Sequence, residues 1–352
     1  MAPLDWGLGH ATRSIPVIHA LLKAGAQVKL AGSGASLTIL KSHFPLLEAR
    51  VLPAYEVRFK SIWSLLPQLP HIFRTIAAER RVLADWVQEG WVDAVVSDNR
   101  YGLWHESIPS ACMCHQLGPI PPFGGTMAHR ILHRLHRQYL NRFDEIWVPD
   151  VSGLGNISGI LSQPFAAQYP ALRWLGPLSR LNKENEVKAD SYDVVALISG
   201  PEPQRSIFEK TITKQLQQTN AKSLIIQGLP GSLAQNQANH IHTISFMDGP
   251  ELAQTLLNAD IVIARPGYSS LMDFAKLGLH TLILSPTPGQ TEQRYLGKKL
   301  QKEGVAWVEP QATFSLERAL KNVEDCHGFR SNKAYSSLLE KAAEEFLSKI
   351  LS

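Results

Sequence analysis

Gly7-Leu8-Gly9-His10-Ala11-Thr12-Arg13 reads as a turn from a strand into a helix, with a histidine at the helix start. Glycines let a backbone turn sharply and approach a ligand closely. The helix behind them aims unpaired N–H groups and a partial positive charge at whatever binds there. That field disfavours an imidazolium, so His10 is predicted to be a neutral base that can take a proton from a hydroxyl near pH 7. Asp98, in Val95-Val96-Ser97-Asp98-Asn99 at the carboxyl end of a predicted strand, is a candidate to orient that imidazole and stabilise its charged form. The bland alternatives are a His10 that merely ends a turn and an Asp98 that caps the next one. G-x-G alone is a weak signal, and the third glycine and later acid of the dinucleotide fingerprint are missing.

The strongest local pattern is Ala264-Arg265-Pro266-Gly267-Tyr268-Ser269-Ser270-Leu271-Met272-Asp273, which follows the apolar run Ile261-Val262-Ile263 and opens a helix. Arg265, the Ser269 and Ser270 hydroxyls and free helix N–H groups together suit a diphosphate. Asp273, one turn further on, suits a ribose diol. The alternative is that Ser270-x-x-Asp273 is a capping box. Ser199-Gly200-Pro201-Glu202-Pro203-Gln204-Arg205 also joins a strand to a helix and carries a cation, Arg205. Ser285-Pro286-Thr287-Pro288-Gly289-Gln290-Thr291-Glu292-Gln293 is polar and stiffened by proline. Glu292 and Gln293 there suit sugar hydroxyls, or simply a helix start that favours acids.

Parallel sheets built from βαβ units must position these loops, because short β-branched runs alternate with helical patterns nearly throughout. Strands are predicted near 27–31, 94–97, 111–115 and 145–148, and then near 193–199, 223–227, 243–246, 260–264, 281–284 and 306–308. One helix is predicted from His10 to before Gly25, and others at 204–217, 251–257, 270–277, 290–301 and 316–322. Only Met1, Ala2, Pro3 and Leu4 precede Asp5, so the first strand is expected to be very short or the chain to begin inside it. The expected division is a first domain over 1–178, a polar linker over 179–191, a second domain over 192–332, and a final amphipathic helix within 333–352 that has no strand after it and is open to packing back on the first domain.

Hydrophobic residues make up 44% of the chain and charged residues 19%, which excludes disorder and coiled coil as the main architecture. The three cysteines are too few and scattered for a disulfide framework or a zinc site. Cys112 and Cys114 are expected on one face of a strand as reduced core residues. No apolar run is long enough to span a bilayer, and no basic-then-apolar leader opens the sequence. A cytoplasmic protein is expected. The net charge of +4 is unevenly placed: no acid occurs from Ser107 to Phe143, where Arg130, Arg134, Arg137 and Arg142 are interleaved with His129, His133 and His136. A second acid-free stretch runs from Val57 to Ala78. These stretches are either a solvated basic helix and an ordinary core helix, or a surface for anionic lipid headgroups at the inner face of a membrane. No nucleic-acid-binding module is visible, and nucleic acid is not an expected partner.

The second half resembles the C-terminal domain of GT-B glycosyltransferases, specifically the MurG-type enzymes and their family-28 relatives. The resemblance is carried by Arg265-x-Gly267-x-x-Ser270-x-x-Asp273, by Leu277-Gly278-Leu279, by the proline turn ending in Glu292-Gln293, and by Phe246-Met247-Asp248. It implies a GT-B fold: α/β, with two Rossmann-like parallel-sheet domains facing each other across a cleft. It implies Phe246 and Met247 at the donor base and Asp273 at the ribose. Ser199, Gly200, Arg205, Arg265, Gly267, Ser269 and Ser270 would lie near the diphosphate, with Gln290, Glu292 and Gln293 at the donor sugar. His10 and Asp98 would be catalytic, with Gly7, Gly9, Arg13, His115 and Gln116 on the acceptor side.

The function implied is inverting, metal-independent transfer of a sugar, N-acetylglucosamine or a related hexose, from a UDP-sugar to an acceptor hydroxyl, without a cofactor. The absence of an Asp-x-Asp motif fits that expectation. The rival readings are a non-hydrolysing UDP-sugar epimerase, for which Glu202 and Glu292 are the obvious carboxylates, and a non-catalytic nucleotide-sugar binder. The acceptor, whether glycan, lipid-linked or small molecule, is left open.

Overall fold

The computed structural model describes residues 1–6, 8–56, 66–121, 125–181, 183, 189–229, 235–247, 249–330 and 336–350. Residues 182 and 184–188 of the predicted linker and the first part of the Val57–Ala78 stretch, 57–65, lie outside the described residues. The chain divides into two compact units, Met1–Arg180 together with Lys333–Ser352, and Leu181–Asn332.

The first unit runs β1 (Ala2–Pro3), α1 (Leu8–Lys23), β2 (Leu30–Gly32), α2 (Gly34–His43), β3 (Ala49–Val51), α3 (Leu69–Gln88), β4 (Val95–Asp98), β5 (Ser110–Met113), α4 (Gly125–Leu140), β6 (Glu145–Val148) and β7 (Leu172–Trp174). Its main sheet has the order β1-β4-β5-β6-β7, with every pair parallel. The first strand has only two residues, Ala2 and Pro3, aligned with Ser97 and Asp98. The parallel pair β2–β3 is tied to the start of the chain by Met1 N to Lys29 O (2.8 Å) and Ala31 N to Met1 O (3.0 Å).

Buried strands flanked by helices must be apolar on both faces, and β4, β5 and β6 are buried at every position. Cys112 and Cys114 are free, buried, and share a core with Leu117, Leu140, Phe143 and Ile146.

The second unit runs β8 (Tyr192–Leu197), α5 (Gln204–Leu216), β9 (Ser223–Ile226), β10 (Gln235–Ala238), β11 (Ile241–Ile244), α6 (Gly249–Leu257), β12 (Ala259–Ala264), α7 (Tyr268–Leu277), β13 (Leu282–Leu284), α8 (Thr291–Lys302), β14 (Trp307–Val308) and α9 (Leu316–Val323). The sheet order is β10-β11-β9-β8-β12-β13-β14. With the exposed antiparallel edge strand β10 set aside, this is the doubly wound dinucleotide-fold order, which reverses between β8 and β12. Phe208, Ile212 and Leu216 of α5 and Leu316, Ala319 and Val323 of α9 recur at three- and four-residue spacing, and they bury one face against Val194, Ile225, Ile263 and Ile283.

The last helix, α10 (Ser336–Ser348), belongs to the first unit. Its buried face is Leu339, Ala342, Ala343 and Phe346. Lys349 reaches the fully buried Glu145 of β6 (2.5 Å), Glu345 pairs with Arg173 of β7 (3.0 Å), and Glu340 pairs with Lys23 of α1 (2.7 Å).

Candidate active site

In the first unit the functional residues gather where the strand order reverses, between β1 and β4. His10 lies in the first turn of α1, and Asp98 is the last residue of β4. Asn99 adopts φ 58°, a left-handed conformation that asparagine tolerates, so the chain turns away directly after the carboxylate. His10 Nδ1 lies 3.0 Å from Asp98 Oδ2 and 2.8 Å from Arg13 Nη2. Arg13, one turn along α1, also donates from Nε to Asp98 Oδ2 at 2.7 Å and from Nη2 to Oδ1. His115, just beyond β5, brings Nδ1 to 3.4 Å from Arg13 Nη1, and Gln116 Nε2 lies 3.4 Å from His115 Nε2. Thus His10, Arg13, Asp98, His115 and Gln116 form one cluster. Gly9 sits in the first turn of α1 and its carbonyl accepts from Thr12 Oγ1; Gly7 lies outside the described residues.

The electrostatics follow from burial. Burial works to raise the Asp98 carboxyl, but Arg13 and then His10 hold it well below the usual carboxylate range. Burial pushes His10 down; Asp98 pulls it up, and Arg13 and His115 push it down again, leaving it below an ordinary imidazole. At neutral pH the cluster is therefore an ionised carboxylate, a guanidinium and a neutral imidazole, and His10 keeps 15% side-chain exposure to meet a substrate.

Behind the cluster lies a network that no sequence motif marks. Arg100, fully buried, donates to Glu79 Oε1 (2.8 Å), Pro3 O (2.7 Å), Pro53 O (3.1 Å) and Ser33 Oγ (2.7 Å). Tyr55 Oη and Gly102 N donate to Glu79 Oε2 at 2.9 and 3.1 Å. The pair ties the ends of β1 and β4 to α3. Glu79 shares the buried face of α3 with Thr75, Ile76, Leu83 and Trp86, and an acid on an apolar stripe was the signal available in the sequence.

In the second unit the loops after β8, β12 and β13 meet at the corresponding reversal. Gly267, with extended backbone, is the N-cap of α7, and Tyr268, Ser269 and Ser270 form the first turn. The helix begins two residues before the predicted Ser270, and no side chain caps it, so the capping-box alternative does not hold. Leu271 N is the first amide to bond back, to Gly267 O (3.0 Å), and no described residue bonds to the Ser269 or Ser270 hydroxyl. Asp273 follows on the same helix, half-buried.

Arg265 is placed differently from a direct diphosphate ligand. It is buried over the Phe208 ring and turned inward, donating from Nη1 to Ser285 O (2.9 Å) and from Nη2 to Gln204 O (3.2 Å) and Gln311 Oε1. All three acceptors are neutral, and among the described residues no carboxylate pairs with it. Burial alone lowers it to about 10, so it remains a cation at neutral pH. Arg205, also expected at the diphosphate, is spoken for by Glu202 (Nε to Oε1, 2.8 Å) and Glu209 (3.2 Å). Ser199 and Gly200 are exposed beyond β8, Gly200 at φ 106°.

Phe246 follows β11 with 36% exposure, an open aromatic at a strand end, and Met247 is half-buried beside it; Asp248 lies outside the described residues. Gln290 is the N-cap of α8 and Glu292 stands in its first turn. Gln293 Oε1 accepts from Thr287 N (2.9 Å), so this face of its amide holds the proline turn in shape.

Residues 193–350 match the glycosyltransferase family 28 C-terminal domain. The whole chain is similar to solved structures at low sequence identity. Against the glycotransferase of kitacinnamycin the TM-score is 0.65 at 15% identity, covering 99% of this chain and 94% of that one. Against SnogD from Streptomyces nogalater it is 0.59 at 14% identity, with 99% and 94% covered. Against MurG from Acinetobacter baumannii it is 0.56 at 16% identity, with 99% and 96% covered. The chain has the GT-B fold. Its second half is related to the family 28 C-terminal domain. The chain matches no curated protein at a significant level. In this GT-B chain both doubly wound sheets carry their candidate residues at the strand-order reversal, the position where open α/β sheets bind ligands.

Proposed function

We propose that this GT-B chain is an inverting glycosyltransferase that moves a hexose, N-acetylglucosamine or a relative, from a UDP-sugar to an acceptor hydroxyl without a metal ion. Arg265 carries the reading. A buried guanidinium with only neutral acceptors is costly unless an anion shares its field. It lies just ahead of the Ser269 and Ser270 amides in the first turn of α7, where the helix dipole adds to its charge. A diphosphate leaving group fits that field, with the Ser269 and Ser270 hydroxyls as further donors, Asp273 at the ribose and Phe246 against the base.

In the proposed reaction His10 Nε2 takes the proton of the acceptor hydroxyl while that oxygen bonds to the anomeric carbon. The bond from that carbon to the diphosphate breaks, and its electron pair leaves with the phosphate oxygen. Asp98 stabilises the imidazolium that forms. The epimerase reading is disfavoured because one of its two carboxylates, Glu202, is held by Arg205 and Ser206.

The deciding experiment is a thermal-shift screen over UDP-, GDP-, TDP- and CDP-sugars, followed by product analysis with the donor that raises the melting temperature. Transfer with an inverted anomeric centre supports the proposal. A 2-epimer formed without acceptor would establish the epimerase, and binding with neither transfer nor slow hydrolysis would establish the non-catalytic binder.

We further propose that the protein works at an anionic lipid surface at the cytoplasmic face of a membrane. Met127, Ile131 and Leu135 of α4 are exposed one helical turn apart, with Arg130 and Arg134 on the same open face. Apolar insertion combined with arginine at the headgroups suits such a surface. Sedimentation with vesicles should be strong with phosphatidylglycerol, weak with phosphatidylcholine alone, and lost for Ile131→Asp. Equal, negligible binding to both would remove the proposal.

A further inference from the structure

We propose that Arg13 is a positioning residue that lets Asp98 fix the tautomer of His10 without charging it. His10 Nδ1 has two neighbours that cannot both be satisfied, Asp98 Oδ2 at 3.0 Å and Arg13 Nη2 at 2.8 Å. If Nδ1 carries the ring proton it donates to Asp98, and Nε2 keeps a lone pair. If Nε2 carries the proton, Nδ1 accepts from Arg13, and Nε2 can no longer accept a proton. A single nitrogen donates or accepts, not both.

The carboxylate wins that competition because Arg13 itself holds it in place. Arg13 grips Asp98 with Nε on Oδ2 (2.7 Å) and Nη2 on Oδ1, a two-point contact that keeps the carboxylate ionised and turned towards His10. An ionised carboxylate is a stronger acceptor than Nδ1, so the proton sits on Nδ1 and Nε2 is the free base. The same guanidinium offsets the Asp98 charge. A fully buried carboxylate beside an imidazole would otherwise hold a second proton on the ring and remove the base at neutral pH. Among the described residues, the charged and titratable groups facing His10 are Asp98 from β4, Arg13 from α1 and His115 from beyond β5. His115 also contacts Arg13 (3.4 Å) and leaves the balance between Arg13 and Asp98 as the deciding one.

This inference rests on His10 being the base, but its test needs no turnover. Imidazole ¹⁵N and ¹³C spectra of the full chain, without ligand, should show His10 as the Nδ1–H tautomer at neutral pH. An Nε2–H tautomer in the unaltered protein would overturn the proposal. Arg13→Gln should raise the His10 pKa by about one unit or more, and move the acid limb of kcat/KM upward with it. A folded Arg13→Gln protein with an unchanged or lower His10 pKa would also overturn it. Should that variant not fold, the tautomer in the unaltered protein still decides. If both spectra behave as stated while His10→Ala leaves turnover intact, the base assignment fails and the Arg13 assignment stands.

Discussion

Phe346 lies edge-on to the indole of Trp147, with 5.5 Å between ring centroids and 77° between planes. Both side chains are buried almost completely, so the last helix closes over β6, next to the edge strand β7 of the first unit's sheet. Phe346→Ala leaves a cavity there and should cost about 3 kcal/mol or more of unfolding free energy. Denaturant titration of the first unit's transition measures it, and a loss under about 1 kcal/mol would mean that the helix is not an integral part of that unit.

His10→Ala should lower turnover by about 10² to 10⁴ while donor affinity persists. Steady-state kinetics paired with calorimetric donor binding separates the two. Equal loss of binding and turnover would point to a positioning role for His10 instead.

Asp273→Ala should weaken nucleotide affinity by roughly tenfold, about 1.4 kcal/mol. Gly267, not Ser270, caps α7, so a loss of affinity is not the loss of a capping box. Wild-type nucleotide affinity in Asp273→Ala would take Asp273 out of the ribose site.

Stability should fall on mild acidification. His136, lowered to about 4 mainly by burial, and His10, lowered likewise, are neutral in the folded chain. As pH drops below about 6.5 the unfolded chain takes up these protons first, so stability declines from there down towards the folded pKa values. Each site contributes a slope of about 1.4 kcal/mol per pH unit at most. The Asp98 carboxyl acts in the same direction, but only below its ordinary range near 4, as the unfolded chain protonates there first. Flat stability between pH 6.5 and 4.5 would show that these histidines are not buried as neutral rings. Asn or Gln at position 136 should reduce that slope.

The alternation of strands and helices was legible because the central strands of the second unit, β8, β9, β11 and β12, are short runs rich in β-branched residues and each candidate loop sits at a strand's carboxyl end. His10 and Asp98 were legible as a candidate pair beside the reading of Asp98 as a turn cap, and the 3.0 Å contact is what brings them together. Three features were hidden for physical reasons. Strand β10, Gln235–Ala238, is exposed at every position, so no alternation marks it. Helix α3 carries the buried Glu79, whose charge breaks the apolar stripe and is compensated by Arg100, a partner 21 residues away. Arg265 was recognised as a cation at the right loop. That its Nη groups turn to Ser285, Gln204 and Gln311 depends on three loops that meet only in the folded sheet.

The return of the final helix to the first unit makes the second unit, in chain order, an insertion. On the ribosome the strands β1–β7 emerge early, yet Glu145 and Trp147 wait without Lys349 and Phe346 until the second unit has been synthesised. The half made first is therefore completed only after the second unit has been synthesised.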